Sequence, residues 1–173
     1  MQIALKLAAE AKPAPAQRTP KEQPPFVVDA LSSALANHAP AAIGPSRRLL
    51  IVDDNPVVLK AFAIRLRASG FTVTTILDAA AVASAAEESA TELIILDVNF
   101  PGHENSDWNG YTCVKWLQRF PKLAGIPVIL ISGEDVKQNQ AKALAAGAVA
   151  FFQKPVPYPE LLATIDRALG IKK

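Results

Sequence analysis

Leu93-Ile94-Ile95-Leu96-Asp97 is the stretch whose reading decides the fold. Four apolar residues run without interruption into one carboxylate. An apolar run this short reads as a strand buried on both faces, which is the habit of parallel sheets. In open α/β sheets the ligand crevice lies beyond the carboxyl ends of the strands. Asp97 therefore stands where core gives way to a site.

Outward from that stretch the same pattern repeats. Toward the N-terminus, Leu49-Leu50-Ile51-Val52 is a second buried-strand run, and it ends in Asp53-Asp54. Pro56 then suits the first turn of a helix, with Asn55 or Asp54 as its cap. Leu59, Phe62, Ala63 and Leu66 share one face of that helix, and Gly70 stops it. Residues 71–76 are rich in β-branched side chains and read as a strand, and 79–90 as an alanine-rich helix. Beyond Asp97, the polar segment 99–109 with Pro101, Gly102 and Gly110 as breakers reads as loop. A helix at 111–119 follows, then a strand at 127–131 closed by Ser132-Gly133. The pattern continues with a helix at 134–146, a strand at 149–152 ending near Lys154-Pro155, and a last helix at 159–169. Strand and helix alternate five times. The economical architecture is a parallel sheet with helices on both faces. Five units in 125 or so residues fit the smaller, flavodoxin-like doubly wound order 2-1-3-4-5.

Composition agrees with this and excludes other classes. Half of the 173 residues are hydrophobic and a fifth are charged, the balance of a protein with a proper core. The net charge is +2, and neither a basic patch nor an aromatic stacking stretch points to nucleic acid. No apolar run approaches the roughly 18 residues that would suggest a membrane span. Cys113 is the single cysteine, so no disulfide framework is expected within the chain, and a reducing cytoplasm is the simplest setting. Residues 1–47 hold seven of the fourteen prolines and too few apolar residues for a core. They read as an Ala/Pro-rich, mostly unstructured extension to a domain at 48–173. Short helices are conceivable within it at 2–11 and 26–37.

Parallel strands put their carboxyl ends on one side, so Asp53, Asp54, Asp97, Ser132 and Lys154 should converge on one sheet edge. Three carboxylates packed together call for a counter-charge, and a hard divalent cation such as Mg²⁺ takes oxygen ligands. A hydroxyl and an ammonium facing the same spot suit the equatorial oxygens of a transferred phosphoryl group. The residues thus describe a place for an aspartyl phosphate, with a carboxylate as nucleophile.

Ile51-Val52-Asp53-Asp54-Asn55-Pro56, the Leu96-Asp97 strand end, Ser132-Gly133 and Lys154-Pro155 together resemble the receiver domain of two-component response regulators. The resemblance covers residues 48–170. It implies that Asp97 is the phosphoacceptor, that Asp54 binds Mg²⁺ directly with Asp53 nearby, and that Asn99 offers the metal its backbone carbonyl. It also implies that Ser132 and Lys154 hold the phosphoryl group, that Lys154-Pro155 is a cis peptide, and that Phe151 changes rotamer when Ser132 is drawn inward. The signal would then reach the face of the fourth helix, fifth strand and last helix. By the same resemblance Asn99 and Glu134 tune hydrolysis, and both being polar suggests a short-lived phospho-form. A histidine kinase or histidine phosphotransfer protein would be the donor, and a phosphorylation-dependent homodimer is one possible output.

The chain departs from the family between Pro101 and Gly110, where eight residues stand in place of about three. A lengthened surface loop costs little, whereas Trp108, His103 or Glu104 in it would shape docking or access. His38 and His103 read as solvated loop residues, Cys113 as a half-buried helix residue, and Trp116 and Leu117 as packing. Little sequence follows the last helix, which suggests a stand-alone receiver or the receiver end of a hybrid kinase. As a phosphoacceptor it is expected not to be an enzyme. The rival reading is a haloacid-dehalogenase-like Mg²⁺-dependent phosphatase, which wants Asp-x-Asp at its first strand rather than the adjacent Asp53-Asp54.

Overall fold

The computed structural model describes residues 46–100 and 108–171. Each apolar run becomes a strand: β1 (Arg48–Val52), β2 (Thr72–Ile76), β3 (Leu93–Asp97), β4 (Val128–Ser132) and β5 (Ala150–Gln153). Every neighbouring pair is parallel, and the order is β2-β1-β3-β4-β5. Between and after them run α1 (Pro56–Ala68), α2 (Val82–Glu88), α3 (Gly110–Leu117), α4 (Val136–Ala146) and α5 (Tyr158–Ala168). This is the expected flavodoxin-like sheet with five helices. The extension at 1–47, apart from its last two residues, lies outside the described residues, together with its two short helices and His38. His103 and Glu104 lie outside them as well.

Helix boundaries follow local chemistry. Asn55, rather than Asp54, caps α1, its side-chain oxygen accepting from the Val57 and Val58 N–H groups at 2.9 and 3.4 Å. The alanine-rich second helix begins as a 3₁₀ turn at Ala79–Ala81, capped by Asp78, before it widens into α2. The fourth helix starts at Val136 and not at residue 134, because Asp135 takes the cap position and accepts from the Lys137 N–H. It ends at Gly147, whose φ of +99° is a left-handed conformation that glycine adopts without a Cβ penalty. Gly110 is not a loop breaker but the first residue of α3. No helix among the described residues is long and apolar enough to cross a membrane.

Alternation along the strands divides the core in two. Leu49 and Ile51 of β1, Leu93 and Ile95 of β3, and Ile129 and Ile131 of β4 pack with Leu59 and Leu66 of α1 and Leu161 and Ile165 of α5. The intervening Leu50, Val52, Ile94, Leu96, Val128 and Leu130 pack with α2, α3 and α4. The period of two in a strand buried on both faces produces this layering. At the carboxyl end the ladder runs past the strands. The Asp53 N–H donates to Ile76 O (3.3 Å), Val98 N–H to Ile131 O (2.9 Å), and Lys154 N–H to Ser132 O (2.7 Å). Backbone bonding therefore carries the polar residues to a common edge.

Candidate functional site

Asp97 is the last residue of β3, and only 6% of it is exposed. Asp53 follows β1 and is 3% exposed. The Lys154 ammonium, just past β5, lies 2.8 Å from Asp53 Oδ2 and 3.2 Å from Asp97 Oδ1, bridging the two carboxylates. The bond to Asp53 is directed. The approach to Asp97 is an ion pair without hydrogen-bond alignment, which leaves Asp97 Oδ1 buried with no donor aimed at it. Asp53 is more fully engaged, since its Oδ1 accepts from the Asn55 N–H at 2.9 Å.

These placements set the local charge balance. Burial, reinforced by the neighbouring Asp53 charge and only partly opposed by Lys154, pushes Asp97 up to about 6. Burial pulls Lys154 down, but its hydrogen bond to Asp53 and the charge of Asp97 outweigh it, so its pKa lies above the ordinary lysine value.

Asp54 completes the acidic group and is more open to solvent than either partner. One carboxylate oxygen from each of Asp53, Asp54 and Asp97 lies within 4.8 Å of the others. Three hard oxygen donors, one a buried oxygen that accepts no hydrogen bond and one on an open side chain, suit a small divalent cation that retains water ligands. The residues present fit that group.

Ser132 ends β4 and is fully buried. Its Oγ accepts from the Glu134 N–H (3.1 Å) and from the Asn99 side-chain amide (3.3 Å). Asn99 and Glu134 are themselves exposed. Phe151, 6% exposed, lies in the α2–α4 side of the core, paired in register with Leu130. The Lys154-Pro155 bond is cis. Asp53, Asp54, Asp97, Asn99, Ser132, Glu134 and Lys154 thus lie at the carboxyl end of the sheet, whereas Phe151 sits in mid-strand, level with Leu130.

Three features escaped sequence reading. Gly110 abuts the end of β3 so closely that a Cβ there would stand 2.6 Å from Asp97 O and 2.7 Å from Val98 Cα. Asn109 and Thr112 form a reciprocal capping box that fixes the start of α3. The Asn-x-x-Thr spacing was a legible signal for it. Tyr111 is buried with an unpartnered hydroxyl, and the Lys142 ammonium sits 4.1 Å from its ring centroid. Cys113 is fully buried rather than half-buried, and burial pushes its thiol up to about 12.

Comparison with known proteins matches this geometry to a large group. The family model described as the response regulator receiver domain matches residues 49–166. The polar-differentiation response regulator DivK of Brucella anthropi is 27% identical over 124 residues, spanning 72% of this chain and 97% of DivK. Among solved structures, the chemotaxis protein CheY4 of Vibrio cholerae superposes with a TM-score of 0.64 at 25% identity, covering 72% of this chain and 100% of that one. The signal receiver domain of a signal transduction histidine kinase from Syntrophus aciditrophicus gives a TM-score of 0.63 at 27% identity, covering 74% and 94%.

Proposed function

Because this chain belongs to the response regulator receiver domain family, we propose that it is a phosphorelay switch that accepts a phosphoryl group on Asp97. The observation that carries the reading is the Lys154 ammonium bridging buried Asp53 and Asp97 beside the more open Asp54. A carboxylate nucleophile needs such neighbours, because the transferred group carries charge on its equatorial oxygens.

The residues take distinct roles. Asp54 would hold Mg²⁺ directly, and Asp97 and the Asn99 backbone carbonyl would be its further protein ligands. Asp53 stands behind them, since both its oxygens already accept hydrogen bonds. Bound there, the cation supplies charge neutralisation to an otherwise acidic pocket. Asp97 attacks the phosphorus of the donor, forming an acyl phosphate while the donor's phosphorus bond breaks and its leaving group departs. Lys154 and the Ser132 hydroxyl then hold the phosphoryl oxygens. Ser132 moving inward shifts Phe151, and the change is read on the face built by α4, β5 and α5. Asn99 and Glu134, flanking the pocket, set the rate at which water removes the group. We assign residues 48–173 to the receiver unit and 1–47 to an extension. The donor is a histidine kinase or histidine phosphotransfer protein.

The dehalogenase-like phosphatase finds no support, since the first strand ends in adjacent Asp53-Asp54 and the relatives are receivers. The test is incubation with acetyl phosphate and Mg²⁺, followed by intact-protein mass spectrometry. One added phosphoryl group is expected, and none in Asp97→Asn. Turnover of many equivalents of a phosphate ester would instead favour the phosphatase. The phospho-form is expected to be short-lived, and a lifetime of hours in Mg²⁺ buffer would refute that.

A further inference from the structure

A serine hydroxyl offers one donor and two acceptor lone pairs. At Ser132 both acceptor positions are filled, one by the Glu134 N–H at 3.1 Å and the other by the Asn99 side-chain amide at 3.3 Å. The residue is fully buried, so water does not compete. The only capacity left to Oγ is to donate, in the single tetrahedral direction that those two partners leave open. Asn99 reaches Ser132 from the segment leaving Asp97, so this bond also ties the end of β3 to the end of β4.

From this geometry we infer that the Asn99 carboxamide is a positioning residue. It makes Ser132 an obligate donor, aimed before any ligand arrives at the anionic oxygens of an incoming phosphoryl group. The inference rests on the acceptor reading of Asp97 and deepens it. Asn99 acts here through its side chain and Ser132, separately from any contact of its backbone carbonyl with metal. A donor whose proton is already free to be given lowers the barrier, because the hydroxyl need not exchange partners when charge develops, even as Ser132 moves inward.

The test measures acetyl phosphate labelling of the full chain at saturating Mg²⁺, alongside the Mg²⁺ midpoint. Asn99→Ala is expected to slow the maximal labelling rate roughly tenfold, less than the roughly hundredfold for losing a direct donor, with the Mg²⁺ midpoint unchanged. Asn99→Asp preserves the shape but can only accept, so the Ser132 hydroxyl turns toward it; its rate is expected to fall below that of Asn99→Ala. The Asn99→Ala loss should vanish in a Ser132→Ala background and persist with Ser132→Thr, which keeps the hydroxyl, while Asn99→Asp, which also adds a negative charge to the acidic pocket, should keep only part of its loss there. Equal losses with and without the Ser132 hydroxyl, or an Asn99→Asp variant as fast as the parent, would overturn the inference. If the parent chain takes no label, the acceptor reading fails first and this inference with it, a failure visible before any Asn99 substitution is made.

Discussion

As the proposed acceptor, Asp97 would have to be ionised to react, yet its position favours the proton. Its pKa is raised by burial to about 6 without metal. The folded chain therefore binds this proton more tightly than the unfolded chain, for which an ordinary aspartate value near 3.9 applies. By linkage, the metal-free protein loses stability from this group as pH rises through the interval between those values, and above about 6 the loss is complete. Asp97→Asn is expected to remove that slope, which denaturant melts across the interval would read. Labelling at limiting Mg²⁺ should reach half its maximum near pH 6, and saturating Mg²⁺ should move the midpoint lower because a cation favours the carboxylate. Tyr111 presents a different imbalance. Its hydroxyl is buried without a partner, and burial followed by the Glu134 charge pushes its pKa to about 12, so it stays a neutral phenol. Tyr111→Phe is expected to stabilise the fold by about 1 kcal/mol in urea melts, since a buried unmade hydrogen bond is removed while the Lys142 contact with the ring is kept.

At the scale of an element, α3 is held by its first turn. Gly110→Ala would press a methyl group into Asp97 O and Val98 Cα, both backbone atoms unable to swing away. A loss of about 1–3 kcal/mol is expected, measurable against Gly125→Ala, where a Cβ meets nothing within 4 Å. The contrast explains what the sequence could and could not convey. Strands announced themselves because a run such as Leu93–Asp97 buried on both faces has few other interpretations. The site was legible because strand ends in a parallel sheet share one edge, so Asp53, Asp97, Ser132 and Lys154 needed only a common register. Gly110 was misread because glycine's local meaning, a breaker, gave way to a tertiary demand set by a strand thirteen residues earlier. The 3₁₀ start of the second helix was hidden for a related reason. A run of alanines specifies helix without specifying its winding.

At the scale of the whole described domain, the proposed site lies on one rim and the aliphatic core in two layers. The core on the α1 and α5 side and the core on the α2–α4 side are both closed by aliphatic side chains from the same strands. A cation bound at the rim to the folded chain alone should therefore stabilise the entire unit by mass action, about 2.7 kcal/mol at a hundredfold excess over its dissociation constant. Melting temperature is expected to climb with Mg²⁺ and return with chelator, with the response much reduced in Asp54→Asn. The aromatic row that starts near that rim and runs along α3 has its own consequence. Trp108 meets Trp116 edge-on at 5.6 Å, and Trp116 meets Phe120 at 4.6 Å. These two are the chain's entire tryptophan content. With excitation selective for tryptophan, emission from this protein thus originates along a single flank of α3, beginning two residues before Gly110 locks against Asp97. A rearrangement that moves Trp108 against Trp116 should be readable as a change in intensity or wavelength, with no dye attached.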